Sequence, residues 1–312
     1  MRSAEPCLQT TLRPALPVDL GLTLWPMRRG TGDPSMRAER PGVWWRATRT
    51  PEGPATVRYA SRNGEIEVVA WGPGAEWCLV NAPDLLGARD RPAGFAPDGL
   101  VARLHHAMPG LRISRSQAVF EALVPSILEQ KVAGAEARRS YRQMVTGWGT
   151  PAPGPPVPVP GGWRPLRLPP GPEVLAAKPY WEFHRFGIEM RRADTIRRAA
   201  DAARMVDRTV DLPPAEAHRQ LQTLRGVGPW TSAEVALVAL GDADAVPVGD
   251  YHLPHLVSWA LAGEPRGTDE RMLELLAPYA GQRGRVVRLL ARSGNWAPRF
   301  GPRMPLRSFN RI

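Results

Sequence analysis

The chain has 312 residues, of which 43% are apolar, and it can therefore bury a substantial core and divide into two or three lobes. Its two cysteines, Cys7 and Cys78, leave one disulfide available but are too few for a disulfide framework, a four-cysteine zinc site or an iron–sulfur cluster. The formal net charge of +11, from 41 lysines and arginines against 30 aspartates and glutamates, favours a polyanionic partner, although the composition of a GC-rich genome would produce the same excess of arginine.

No stretch of the sequence predicts a membrane segment or an export signal. The first residues, MRSAEPCLQTTLRP, lack the continuous apolar core of a signal peptide, and no later run approaches the roughly 18 apolar residues that a spanning helix needs. We therefore expect a cytoplasmic, nucleoid-associated protein that does not contact a membrane. We also expect it to be a monomer.

The sequence from about Leu12 to Val80 is typical of short antiparallel strands. The segment GVWWRATRT is followed by ATVRYAS and EIEVVAW, two alternating runs on either side of Arg62-Asn63-Gly64. Asparagine followed by glycine between such runs is a strong signal for a β-hairpin turn. We therefore predict that residues 1–110 form an N-terminal β-rich lobe.

The pattern becomes helical after a passage rich in proline and glycine near residues 91–99. Ser114 and Gln117 have the spacing of a capping box ahead of the first helix. The proline-rich segment 150–172 predicts a loop or an extended connector, because proline is excluded from helix interiors and central strands. Apolar residues at three- and four-residue spacing predict the helices: Phe120, Leu123, Val124, Ile127 and Leu128; Ile196, Ala199, Ala200, Ala203 and Val206; Ala217, Leu221 and Leu224; and Leu253, Leu256, Val257, Ala260 and Leu261.

The C-terminal part of the chain continues this helical pattern. Gly263 is predicted to end one helix, Thr268 to cap the next, and residues 285–291 to form the last. The fold class is therefore α+β, with an N-terminal antiparallel β lobe and a mostly helical body over residues 111–295. Residues 296–312 form a basic tail whose irregularly spaced arginines suit contact with phosphate or solvent.

The most informative segment runs from residue 221 to residue 256, LQTLRGVGPWTSAEVALVALGDADAVPVGDYHLPHL. Two glycines, Gly226 and Gly228, lie between two helical patterns and allow a tight hairpin with uncovered backbone N–H groups. The following helix, which opens at Pro229 or Trp230, would direct its free N–H groups and positive dipole end at the same anion. Two glycines that merely end one helix and begin another would give the same local pattern.

Three segments together resemble the helix-hairpin-helix DNA glycosylases, in particular their 3-methyladenine DNA glycosylase II branch. They are LVPSILEQKVAGAEARR (123–139), FHRFGIEMRRADTIRRAA (183–200) and the hairpin segment up to Asp250, and in this order they cover roughly residues 114–292. The β lobe, which opens with RPALPVDLGLTL, resembles the amino-terminal domain of that branch more loosely. The resemblance implies a β lobe packed on a two-part helical body, with the active site in the cleft between the helical subdomains.

The resemblance assigns the chemistry to Asp250 and Trp230. Asp250 would be the catalytic carboxylate, which stabilises the cationic sugar of the transition state and orients or deprotonates the attacking water. A plain cap of the helix beginning at YHLPHL is the alternative for this residue. Bifunctional relatives carry a catalytic lysine where this chain has Trp230, so we expect no strand cleavage. Trp230 would instead stack on the flipped base, or else simply pack in the core.

The remaining site residues are also implied by the resemblance. Glu234 lies in the base pocket, where a second aromatic residue would be expected, and either Lys131 or Val132 fills the gap that the flipped nucleotide leaves. The predicted DNA-binding residues are Gln130, Lys131, Val132, Arg225, Gly226, Val227, Gly228 and Thr231. The resemblance also implies a monovalent cation bound by the backbone carbonyls of residues 224–228. The histidine pairs His105/His106 and His252/His255 lack the additional ligand spacing of a zinc site, so we expect no metal.

The implied function is hydrolysis of the N-glycosidic bond of alkylated purines, such as 3-methyladenine, in damaged double-stranded DNA, as the first step of base excision repair. Excision of another lesion, an oxidised or deaminated base, is the alternative within the same class. A non-catalytic protein that keeps the hairpin for binding DNA is the alternative from a different class.

Overall fold

The computed structural model describes residues 7–159, 161–294 and 296–298. Its N-terminal part is a five-stranded antiparallel sheet in the order β1-β5-β4-β3-β2. The strands are β1 Cys7–Leu12, β2 Met36–Arg40, β3 Val43–Thr50, β4 Gly53–Arg62 and β5 Glu65–Trp71. The predicted turn joins β4 to β5, with Asn63 at φ 51° and Gly64 at φ 81°, as a two-residue hairpin turn requires.

Two helices, α1 (Leu20–Leu24) and α2 (Ala75–Leu85), share an apolar core with the sheet. The prediction of strands as far as Val80 is wrong from residue 75 onward. Gly72, Pro73 and Gly74 end the last strand, and the next buried residues recur at the helical spacing of Ala75, Cys78 and Ala82. The β lobe is thus a sheet with helices on one side.

The rest of the chain is mainly helical, as predicted. The helices are α3 Gly99–Ala107, α4 Val119–Leu128, α5 Gly134–Trp148, α6 Pro172–Ala177, α7 Met190–Asp201, α8 Ala203–Arg208, α9 Pro214–Gln222, α10 Pro229–Val235, α11 Leu253–Ala262, α12 Asp269–Leu276 and α13 Arg283–Arg292. They surround two cores: α4, α5, α7 and α10 share one, and α3, α11, α12 and α13 share the other. The predicted domain boundary at residue 110 stays a prediction, and Val101 of α3 lies in the second of these cores.

The proline-rich segment 150–172 is extended, as predicted, and forms two small ladders. β6 (Thr150–Pro151) pairs with β9 (Arg167–Leu168), and β7 (Val157–Val159) pairs with β8 (Gly162–Arg164). Val157, Leu166 and Leu168 pack against the outer face of β3. The connector is therefore attached to the β lobe.

The predicted capping box at Ser114 and Gln117 is wrong. The helix begins only at Val119, and no side chain caps it. Gln117 has φ 59° and belongs to an extended segment, where it donates its backbone N–H to Ala239 O and its side-chain amide to Asn81. These long-range hydrogen bonds replace the local cap that the spacing indicated.

The predicted ends of the later helices are confirmed. Gly263 follows α11 with φ 70°, and the Thr268 hydroxyl accepts the backbone N–H of Arg271 at the start of α12. The arginines of the basic tail, Arg299, Arg303, Arg307 and Arg311, lie outside the described residues. Across the described ranges, none of the helices has the length and apolar character to cross a membrane.

Candidate active site

The hairpin Leu224–Gly228 joins α9 to α10, and its shape depends on Gly226. This residue has φ 100°, and a β-carbon built on it would lie 2.3 Å from Thr195 Oγ1 of α7. Val227 inside the hairpin is buried and donates its N–H to Leu224 O at 2.9 Å. The glycine is therefore required both by the backbone conformation and by the close contact with α7.

The loop after α4 contacts this hairpin through Gln130. The Gln130 side-chain amide donates to Gly226 O at 2.9 Å and to Thr231 Oγ1 at 2.8 Å. The next residue, Lys131, is exposed and has φ 54°, an uncommon backbone conformation for a side chain of its size. The structure thus brings the two predicted DNA-binding segments, 130–132 and 225–231, to one surface.

The members of this predicted DNA-binding set differ in exposure. Lys131, Arg225 and Gly226 are exposed, whereas Val227 and Thr231 are buried. Val227 and Thr231 would therefore contact DNA through their backbone groups and not through their side chains.

Asp250 and Trp230 are in direct contact across the two helical cores. Trp230 is at the start of α10, and its indole Nε1–H donates to Asp250 Oδ2 at 2.9 Å. The other carboxylate oxygen, Oδ1, accepts the backbone N–H groups of His252 (2.7 Å) and Leu253 (2.9 Å) at the start of α11. The carboxylate of Asp250 is therefore fixed by three donors, two of which are backbone N–H groups at the start of α11.

The helix that carries Trp230 changes its winding one turn later. α10 continues as a π-helix over Ala236–Leu240, which ends at Gly241. Carbonyls in this segment are bonded from outside it: Leu237 O accepts from Arg288 of α13, and Val238 O and Ala239 O accept backbone N–H groups of residues 116 and 117. The wide turn is thus held by neighbouring elements, and π-segments of this kind recur at functional sites.

Further charged side chains lie around Glu234. We call the group of Trp230, Glu234, Asp250, Glu129, Arg29 and Arg288 the junction site. Arg29, from the segment after α1, donates to both carboxylate oxygens of Glu129 at 3.3 Å. Arg288 of α13 is buried and donates to Leu237 O. The Nε of Arg29 and the Nη1 of Arg288 are buried, and neither has a hydrogen-bond acceptor among the described residues.

Glu234 is the most perturbed carboxylate of the junction site. Burial raises its pKa to about 7; Glu129 and Asp250 act in the same direction, whereas Arg29 and Arg288 oppose the shift. Burial lowers the pKa of Arg288 to about 10, against the attraction of Glu234. Glu234 can therefore change its charge near neutral pH.

The sequence predicted Asp250, Trp230 and Glu234 as site residues but did not indicate the other three residues of the junction site. Glu129 directly precedes Gln130 in the matched segment and could have been included on that ground. Arg29 and Arg288 carry no local signal, because they are distant in sequence and meet Glu234 only in the folded chain.

The hairpin carbonyls are the groups that would bind the monovalent cation that the resemblance implies. Leu224 O accepts from Val227, Arg225 O from Arg198, Gly226 O from Gln130 and Gly228 O from Ser232. In the described part of the chain, only Val227 O of this hairpin lacks a donor. Because a carbonyl oxygen has two lone pairs, these hydrogen bonds leave each of the bonded carbonyls one further lone pair with which it could bind a cation.

Comparison with known proteins gives a result at the level of the fold. No protein-family model matches the sequence, and no curated protein matches it. The chain is similar to a 3-methyladenine DNA-glycosylase from Archaeoglobus fulgidus, with a TM-score of 0.75 and 19% identity over 91% of this chain and 98% of that one. The chain has the fold of the helix-hairpin-helix DNA glycosylases.

Two structures of the 8-oxoguanine glycosylase/lyase from Clostridium acetobutylicum are also similar. One is the apo-form, and the other is in complex with double-stranded DNA containing cytosine opposite 8-oxoG; each gives a TM-score of 0.68 and 14% identity. They cover 93% and 94% of this chain and 98% and 99% of those chains. These likenesses confirm the predicted fold, a β lobe followed by a two-part helical body.

Proposed function

We propose that this protein is a monofunctional DNA glycosylase that removes alkylated purines of the 3-methyladenine type from duplex DNA. The observation that carries the proposal is the contact of Trp230 with Asp250, directly behind the hairpin, in a chain with the fold of DNA glycosylases. The hairpin and the loop at Lys131 would bind the DNA backbone. The junction site would receive the flipped nucleotide.

Asp250 would act on the sugar. Breaking the N-glycosidic bond leaves a cationic, oxocarbenium-like sugar, and a carboxylate held at its face stabilises a charge that develops only in the transition state. The three donors to Asp250 hold the carboxylate in one orientation, so it does not have to reorganise during the reaction. Water would then add to the sugar carbon, and the product would be an abasic site and a free base.

Trp230 supports the monofunctional reaction. A lyase needs an amine that forms a Schiff base with the sugar, and this position carries an indole in the present chain. The indole ring also offers a face on which an electron-poor, positively charged base could stack. Alkylated purines already carry that charge, so their departure needs little protonation by the enzyme.

Excision of an oxidised base is the second candidate. It is favoured by the likeness to an 8-oxoguanine glycosylase/lyase and by the polar character of the junction site, where Glu234 and two arginines stand in place of a second aromatic ring. A non-catalytic DNA-binding protein is a third candidate.

The test uses duplex oligonucleotides that carry one alkylated, oxidised or deaminated base, scored for strand breaks before and after alkali. A monofunctional alkylpurine glycosylase gives breaks only after alkali, and it releases the alkylated base faster than the oxidised or the deaminated base. Breaks without alkali would contradict the role given to Trp230. Release of only the oxidised base would favour the second candidate, and no release with retained binding to abasic DNA would favour the third.

A further inference from the structure

Glu234 lies on the same side of α10 as the proposed catalytic pair. It follows Trp230 by four residues, one helical turn, and the indole of Trp230 contacts Asp250. Glu234 is partly buried, and no hydrogen bond or ion pair to its carboxylate is formed within the described part of the chain. Its carboxylate therefore has no protein partner at hydrogen-bonding distance and is open to a ligand.

The charged groups around Glu234 come from four other parts of the chain. Glu129 at the end of α4 and Asp250 before α11 are acidic, whereas Arg29 from the segment after α1 and Arg288 of α13 are basic. Arg29 already binds Glu129, and Arg288 already binds a backbone carbonyl. With Glu234 ionised, the junction site holds three carboxylates and two guanidinium groups, so an unpaired negative charge remains.

An unpaired negative charge in a partly buried site is disfavoured by desolvation, and a cation that enters the site compensates for this cost. A purine alkylated at a ring nitrogen is such a cation, whereas the undamaged and the deaminated bases are neutral. Resting on the function proposed above, we infer that Glu234 is the specificity-determining residue of the junction site, whose carboxylate pairs with a positively charged base and does not favour a neutral one.

Because Glu234 titrates, its role in selecting a cationic base predicts a pH dependence of base excision. Because its pKa in the empty site is about 7, the fraction of ionised Glu234 increases from pH 6 to pH 8. Pairing with a cationic base requires the ionised form. Excision of a cationic base should therefore become faster over this range, by about tenfold if only the ionised form binds it. Excision of a neutral base should not become faster.

The experiment measures kcat/KM for release of 3-methyladenine from methylated duplex DNA and of hypoxanthine from a matched duplex, between pH 6 and pH 8. 3-Methyladenine in DNA carries a fixed positive charge, and hypoxanthine is neutral. The variants are Glu234→Gln, which removes the charge, and Glu234→Asp, which keeps it. Glu76→Gln makes the same change on the exposed surface of α2. Unfolding curves of all variants show whether each one folds.

The inference predicts that wild type and Glu76→Gln release 3-methyladenine about tenfold faster at pH 8 than at pH 6. Glu234→Gln should lose this increase and match wild type only at pH 6, while Glu234→Asp retains the increase. If folded Glu234→Gln keeps the wild-type pH profile for 3-methyladenine, the inference is overturned and the proposed function stands. If wild type releases 3-methyladenine at no pH, the proposed function fails and the inference fails with it.

Discussion

The indole N–H of Trp230 donates to Oδ2 of Asp250 at 2.9 Å, and this contact joins the helix behind the hairpin to the start of α11. It connects the first turn of α10 to the segment directly before α11. The geometry gives Trp230 an orienting role toward Asp250, in addition to the stacking role that the sequence resemblance implied.

Trp230→Phe should slow base release while preserving the fold. Phenylalanine keeps an aromatic face but lacks the N–H donor, and a hydrogen bond to a charged group is worth about 1.5–3 kcal/mol, or roughly 10- to 100-fold in rate. Single-turnover release of 3-methyladenine measures the effect. Trp181→Phe, a change at an exposed tryptophan, is the control. Wild-type rates in Trp230→Phe would contradict an orienting role.

The two glycines of the hairpin should respond differently to alanine. Gly226→Ala places a β-carbon on a backbone with φ 100°, at 2.3 Å from Thr195 Oγ1. We therefore expect this variant to lower the free energy of unfolding by about 2–3 kcal/mol. We also expect it to weaken the binding of abasic duplex. Gly228 has φ −109° and open space around its β-position, so Gly228→Ala should cost less than about 1 kcal/mol. Chemical denaturation and a binding titration compare the pair; equal losses would argue against the observed hairpin.

Substitutions of Gln130 and Lys131 should distinguish a residue that supports both stability and DNA binding from one that supports DNA binding alone. Gln130→Ala leaves Gly226 O and Thr231 Oγ1 without their donor, so we expect stability to fall by about 1–2 kcal/mol along with DNA affinity. Lys131→Ala should leave stability unchanged and weaken binding, with the slope of log affinity against log salt reduced by about 1. A Lys131→Ala variant with an unchanged salt slope would place this loop away from the phosphates.

Glu234 should make folding stability depend on pH. Its pKa is 4.5 in the unfolded chain and about 7 in the folded protein, so the folded state holds the proton more tightly. The stabilisation from this group is complete below about pH 4.5 and is lost as the pH rises through about 7, a loss of at most about 3 kcal/mol. Between pH 5 and pH 8, Glu234→Gln should therefore lose less stability than wild type in urea denaturation. Parallel curves for the two proteins would show that the folded pKa is not raised.

Local patterns predicted the parts of the fold that local interactions decide. The turn at Asn63-Gly64, the helix end at Gly263, the cap at Thr268 and the hairpin glycine Gly226 each follow from a backbone requirement within a few residues. The capping box at Ser114 failed because that segment binds the π-helix more than 100 residues away, through Ser116 and Gln117.

The junction site was only partly predictable for the same reason. Asp250, Trp230 and Glu234 lie in one segment of sequence whose spacing carries information. Arg29 reaches Glu234 from the N-terminal lobe, and Arg288 reaches it from the last helix, so their roles exist only once both helical cores and the sheet have assembled. A single sequence contains no periodicity that links such distant positions.

The most direct test of the central claim compares wild type with Asp250→Asn on methylated duplex DNA. Both proteins are assayed for free methylpurine, and both are titrated with a duplex that contains an abasic site. We expect wild type to release methylpurine, and Asp250→Asn to release essentially none while it binds the abasic duplex as tightly as wild type. Equal release by the two proteins would contradict the role of Asp250.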